Sequence, residues 1–211
     1  MATATQLRVG PADHGRAMTL AEFDEAEFEG GYRYELARGV LEVSEVPHDP
    51  HGLIVWFLLG LLRDYERDYP NRIFRAGGGD AFRLYLPQMV SARHPDVSVT
   101  TQGTPRHRRE RRPPSLAIEV VSPGSDARQR DYVTKREEYL AYGLLEYWIV
   151  DPFERKVIVL VRDGDTWNER VFAGEQAAEG LVLPGFRIPL PELWAAAEKD
   201  EGADTEEAAD A

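Results

Sequence analysis

Glu119 interrupts an otherwise apolar run, Leu116-Ala117-Ile118-Glu119-Val120-Val121. Such a run reads as a central strand covered on both faces, where an ionised carboxylate costs free energy unless a partner or a metal offsets its desolvation. Asp96 is the candidate partner. It opens the stretch Asp96-Val97-Ser98-Val99, in which Val97 and Val99 point to one face and Asp96 to the other. Two carboxylates at the ends of neighbouring strands make a hard-oxygen site of the kind that takes Mg2+ or Mn2+ together with water and a substrate phosphate. The competing reading has Asp96 capping a strand and Glu119 meeting an arginine.

The chain has three lysines, Lys135, Lys156 and Lys199, among 25 basic residues, so arginine is its default cation and a lysine stands out. Tyr132, Lys135, Tyr139 and Tyr142 are spaced three, four and three apart, which places them on one stripe of a helix and Lys135 on its aromatic, inward face. A compact ammonium suits water positioning or stabilisation of transition-state charge. The bland counterpart is a surface Asp131–Lys135 pair, worth a few tenths of a kcal/mol. Arg106, Arg108, Arg109, Arg111 and Arg112 crowd into seven residues beside a single acid, Glu110. They are either phosphate contacts that position nucleic acid without reading bases or a solvated loop that pairs with the acidic tail. His48 and His51 form H-x-x-H without the acid or cysteine of a familiar zinc spacing, which leaves His51 as an accessory to the site or a structural histidine. Gly77-Gly78-Gly79 is followed by no Lys-Ser/Thr pair, and no G-x-S-x-G elbow occurs.

The elements that must position these groups follow from pattern. Thr19 and Glu22 have capping-box spacing before a helix over 20–29. Tyr32–Leu36 and Val40–Val46 alternate as a hairpin across Arg38-Gly39. A helix over 51–69 is apolar all round in its first half, which predicts burial on more than one side and hints at a homodimer. Strands are expected at Arg72–Arg75, Ala81–Leu86, Asp96–Thr100, Leu116–Val121, Glu146–Val150, Lys156–Val161 and Trp167–Phe172, with a further β-rich segment through Leu190. Helices are expected over 126–142, stopped by Gly143, and over 191–197. The order predicts one mixed α+β (α/β) domain around a single sheet.

Length and composition agree. The chain has 211 residues, 43% hydrophobic and 29% charged, enough to bury a core without staples. With no cysteine, thiol catalysis, Cys-ligated zinc and iron–sulfur chemistry are excluded and a disulfide-stapled secreted domain is disfavoured. No signal-peptide pattern opens the chain, and the longest apolar run, Gly52–Leu62, is too short for a bilayer, so the expectation is a cytoplasmic protein with no membrane partner. The net charge of −12 is unevenly spread. Residues 198–211 carry seven acids against Lys199, and that tail is expected to be disordered. Residues 1–18 read as an extension and 19–197 as the single folded domain.

Pro95-Asp96-Val97, Ile118-Glu119-Val120-Val121-Ser122-Pro123, Asp131 with Lys135, and Gly143 followed by Glu146-Tyr147-Trp148-Ile149-Val150-Asp151 together resemble the Uma2 family of restriction-endonuclease-like proteins. Tyr34-Glu35-Leu36 with Gly39 and the closing Leu183-Pro184-Gly185-Phe186 are similar too. The resemblance implies a PD-(D/E)XK nuclease-like core, a central mixed sheet flanked by helices, with an extra N-terminal hairpin and C-terminal strands. It implies a Mg2+- or Mn2+-dependent endonuclease acting on DNA. Asp96 and Glu119 would be metal ligands with the Val120 carbonyl as a third, Glu35 an additional acid, and Lys135 a catalytic amine. The lysine that the motif places two residues after the glutamate is Val121 here. The alternative is therefore an inactive nuclease fold serving as a nucleic-acid-binding or protein-interaction module.

Overall fold

The computed structural model describes residues 6–46, 49–105 and 112–198. In chain order the regular elements are β1 (Arg8–Val9), α1 (Leu20–Glu25), β2 (Glu27–Phe28), β3 (Tyr32–Ala37), β4 (Val40–Glu45), α2 (His51–Asp68), β5 (Ile73–Gly77), β6 (Leu84–Leu86), β7 (Ser91–Arg93), β8 (Val97–Thr101) and β9 (Leu116–Val120). They continue with α3 (Ser125–Gln129), a π-turn (Arg130–Thr134), α4 (Lys135–Tyr142), β10 (Glu146–Asp151), β11 (Lys156–Asp163), β12 (Thr166–Ala173), β13 (Ala177–Glu179), β14 (Arg187–Pro189) and α5 (Leu190–Ala197). The chain is a mixed α+β fold, as expected, and it divides into two compact units, Met1–Val46 with Gly79–Pro95, and Pro47–Gly78 with Asp96–Ala211.

In the smaller unit the capping box at Thr19 forms: the Thr19 N–H donates to Glu22 Oε2 at 2.7 Å and the Glu22 N–H to Thr19 Oγ1 at 3.1 Å. The helix stops at Glu25, short of the expected 29. Ala26 is extended, which frees Glu27 and Phe28 to pair in parallel with Arg8 and Val9. The β3–β4 hairpin turns on Arg38 and Gly39, both at positive φ (50° and 81°), the conformation of a two-residue turn matched to strand twist. Expectation and structure part again at Ala81. The Phe82 N–H closes a 3-10 turn onto Gly79 O, so the strand begins only at Leu84. It pairs with β7, and β7 with β3, which makes a four-stranded sheet, β4-β3-β7-β6, separate from the central one. The single sheet expected from element order is therefore corrected. Phe23, Leu36, Leu41 and Ala92 form this unit's dry core.

In the larger unit six strands run in the order β12-β11-β10-β9-β8-β5, with β9 and β10 parallel and every other pair antiparallel. Strand alternation sorts the two faces. Leu116, Ile118 and Val120 join Trp148, Val150, Val157 and Val159 in a core that α2 and α5 cover with Ile54, Leu58, Leu62, Leu190, Leu193 and Trp194. The opposite face carries Glu119, Tyr147 and Ile149. A parallel pair needs a crossover, and here it runs through α3, the π-turn and α4, which bring Tyr139 edge-on to Tyr147 at 5.0 Å. Only one stripe of α2 is fully buried: His51, Ile54, Leu58, Leu62 and Tyr65. Val55, Phe57, Leu59 and Leu61 are half-buried along its margins, and Trp56 is 65% exposed. The helix thus meets the core on one broad side, where burial on more than one side was expected. No helix among the described residues is long and apolar enough to cross a membrane.

Candidate active site

Asp96 and Glu119 meet because of strand register. Val97 lies opposite Ile118 and Ser98 opposite Ala117, so the antiparallel pairing of β8 with β9, carried one residue further, sets Asp96 against Glu119 on the same face. Asp96 is buried, and its Oδ2 accepts the Val120 N–H at 2.8 Å and lies 3.0 Å from His51 Nε2. Glu119 is buried too. Its Oε1 accepts a hydrogen bond from the Tyr139 hydroxyl at 2.7 Å and lies 2.9 Å from Lys135 Nζ. Glu119 therefore meets a lysine and a phenol.

Lys135 is 1% exposed, and its amine has a second carboxylate, Asp131 Oδ1, at 3.7 Å. Asp131 is equally buried and is held from its other side by the Arg130 guanidinium, Nε to Oδ1 at 3.1 Å. Burial pushes the Asp131 carboxyl above the usual carboxylate range, with the Lys135 and Arg130 cations pulling the other way. The Asp131–Lys135 pair is thus a buried contact, and the surface i,i+4 alternative is set aside.

The π-turn accounts for this arrangement. The Lys135 N–H reaches back five residues to Arg130 O, so the Asp131 carbonyl, its partner in an unbroken α-helix, accepts instead from the Tyr147 hydroxyl at 2.9 Å. The wider turn also breaks the expected stripe. Lys135 and Tyr139 share the buried face with Asp131, whereas Tyr132 is half-buried and donates to Asp151 Oδ2 at 2.6 Å. Burial pushes the Tyr147 phenol well above its ordinary pKa.

Other sequence candidates lie as follows. Val121 is buried with its N–H on Val150 O, so the position of the motif lysine is occupied by a core residue. Val120, the proposed carbonyl donor, is buried at the end of β9, and its N–H is taken by Asp96. His51 opens α2 on its buried stripe. Glu35 belongs to the smaller unit, where its carboxylate accepts the His94 N–H at 2.6 Å and pairs with Arg93 at 3.5 Å. Arg112 stacks over Phe74 at 4.3 Å and donates to Gln102 O at 2.9 Å. Arg106, Arg108, Arg109, Arg111, His48 and the acidic tail from Lys199 onward lie outside the described residues. Sequence reasoning assigned no role at the site to Tyr139 or to Tyr147. The signal for Tyr139 was its position four residues after Lys135, which a hydroxyl shares with the amine it accompanies.

Two carboxylates and a backbone carbonyl are hard-oxygen donors, a set that fits an ion of the magnesium type, which takes one or two protein carboxylates and completes its shell with water and phosphate. Among the described residues no three His, Asp or Glu side chains group around one point.

The Uma2 family, described as "Putative restriction endonuclease", matches residues 20–191. The chain belongs to the Uma2 family. No curated protein matches it. Among solved structures, the Uma2 chain is similar to a "putative nuclease belonging to DUF820" from Anabaena variabilis ATCC 29413, at 20% identity and a TM-score of 0.67, covering 85% of this chain and 99% of that one. The likeness confirms the mixed central sheet flanked by helices that the Uma2 resemblance implied.

Proposed function

We propose that this Uma2 protein is a divalent-metal-dependent endonuclease that hydrolyses DNA phosphodiester bonds. The observation that carries the reading is the contact of Lys135 Nζ with Glu119 Oε1 at 2.9 Å, beside an Asp96 that strand register sets against the same glutamate. Residues at positions 96, 119 and 135 thereby supply two acids and an amine in one place. Asp96, Glu119 and the Val120 carbonyl would hold Mg2+ or Mn2+, which when bound polarises a phosphoryl oxygen and acidifies a water. The residues of the chain do the rest. Lys135 orients the attacking water or meets the charge that grows on phosphorus, and Tyr139 and Asp131 fix where its amine and the Glu119 carboxylate stand. Arg106, Arg108, Arg109, Arg111 and Arg112 contact phosphate.

One observation favours a second reading, a nuclease fold that binds without cutting: the amine and the glutamate are paired with each other at about 1% exposure. Plasmid cleavage separates the two. Supercoiled DNA with Mg2+ or Mn2+ is expected to give nicked and linear products, and D96N and E119Q are expected to abolish them while each variant still melts cooperatively as a folded protein. Intact plasmid with DNA binding preserved would establish the second reading.

A further inference from the structure

His51 and Asp96 are 45 residues apart in sequence and 3.0 Å apart in space, Nε2 to Oδ2, with both side chains buried. With Asp96 ionised, as a metal ligand must be, the carboxylate offers only acceptors and the imidazole Nε2 supplies the hydrogen in this contact. The same Oδ2 accepts the Val120 N–H from β9. Two donors from different elements, one a helix and one a strand, therefore converge on a single oxygen and fix the plane of the carboxyl group. The histidine is itself held firmly. It is the first residue of the eighteen-residue α2 and lies on the stripe that Ile54, Leu58 and Leu62 drive into the core, so packing of the helix sets where its ring starts from.

We infer that His51 is a positioning residue: it donates to Asp96 and holds that carboxylate in the orientation in which it ligates a divalent cation. This deepens the proposed function and rests on it. Outer hydrogen bonds of this type orient ligating groups, and their loss costs about 10–100-fold in metal affinity. The imidazole is not itself a ligand in this assignment. Its contribution is the hydrogen on Nε2, so a side chain that places an N–H at the same reach should serve in its stead.

Glutamine and methionine test this directly, because they are nearly equal in length and volume and only glutamine donates a hydrogen bond. Mn2+ binding to the full chain is measured by calorimetry for the wild type, H51Q, H51M and D96N, with thermal melting in the absence of metal as the control for folding. Wild type and H51Q are expected to bind within a few-fold of each other, and H51M about 10–100-fold more weakly, with all three folded and melting cooperatively well above the temperature of the calorimetry. Nitrogen NMR of the metal-free wild type is expected to show the Nε2-protonated tautomer. Equal Mn2+ affinity for H51M and wild type, or H51Q as weak as H51M, overturns the role of His51 and leaves the nuclease reading standing. A wild type that takes up no Mn2+, or a D96N that takes it up as well as wild type, overturns the metal site on which the inference rests.

Discussion

Lys135 is the residue on which the site turns, and its environment sets the outcome of replacing it. The ammonium stands between Glu119 at 2.9 Å and Asp131 at 3.7 Å, with all three side chains at 1–2% exposure. Removing one partner of a buried pair leaves an uncompensated charge, so K135M is expected to lower unfolding free energy by about 3–5 kcal/mol in urea melts. The double variant K135M/E119Q removes both charges and is expected to regain most of that loss. Y139F deletes the hydroxyl that donates to Glu119 at 2.7 Å and is expected to cost about 1–3 kcal/mol, because the carboxylate keeps its desolvation and loses a donor. The identities of these residues were legible in the sequence. Which of them touch was not: Glu119 was open to either a metal or an arginine, and the meeting with Tyr139 depends on two elements packing across the sheet.

At the scale of elements, the crossover from β9 to β10 shows where periodicity stops being informative. A helix over 126–142 is the correct reading of its polarity and of Gly143, which ends it in the left-handed conformation at φ 95°. The π-turn within it leaves no mark in the pattern, and its tertiary partner is far along the chain: the Tyr147 hydroxyl on β10 donates to the Asp131 carbonyl. Y147F is expected to leave that carbonyl unpaired, cost about 1–3 kcal/mol, and speed hydrogen exchange of the Arg130–Thr134 amides more than those of α5. A second tie fixes the C-terminal strands. Glu146 accepts from Trp148 Nε1 and from the Leu181 and Val182 N–H groups, and a Cβ at Gly180 would collide with the Glu146 carboxylate. G180A is expected to lower the melting temperature by displacing that carboxylate.

For the molecule as a whole, buried phenols set the alkaline limit. Burial raises Tyr142 to about 12, and Tyr132 and Tyr147 are raised as well. A tyrosine with a higher pKa folded than unfolded keeps its proton in the native state while the unfolded chain gives one up above pH about 10. The unfolded state then binds fewer protons. Stability is expected to be constant with respect to these groups below pH about 10 and to fall steadily above it, as chemical denaturation at a series of pH values would show. The proposed phosphate contacts carry a prediction about salt. Replacing Arg108, Arg109, Arg111 and Arg112 together is expected to flatten the slope of log affinity against log salt. An unchanged slope would show that this segment does not touch phosphate.

The sequence by itself determined the mixed class of the fold, the central strand around Glu119, the hairpin at Arg38-Gly39 and the family, because each is written in local pattern: alternation, caps and turn residues a few positions apart. It also singled out Asp96, Glu119 and Lys135 by residue type. Tertiary structure alone decided that Asp96 stands level with Glu119, that the amine lands on that glutamate, that His51 faces Asp96, and that the hairpin joins β7 in a second sheet. Those outcomes are set by register and by packing between elements tens of residues apart, and a contact across such distances has no period along the chain.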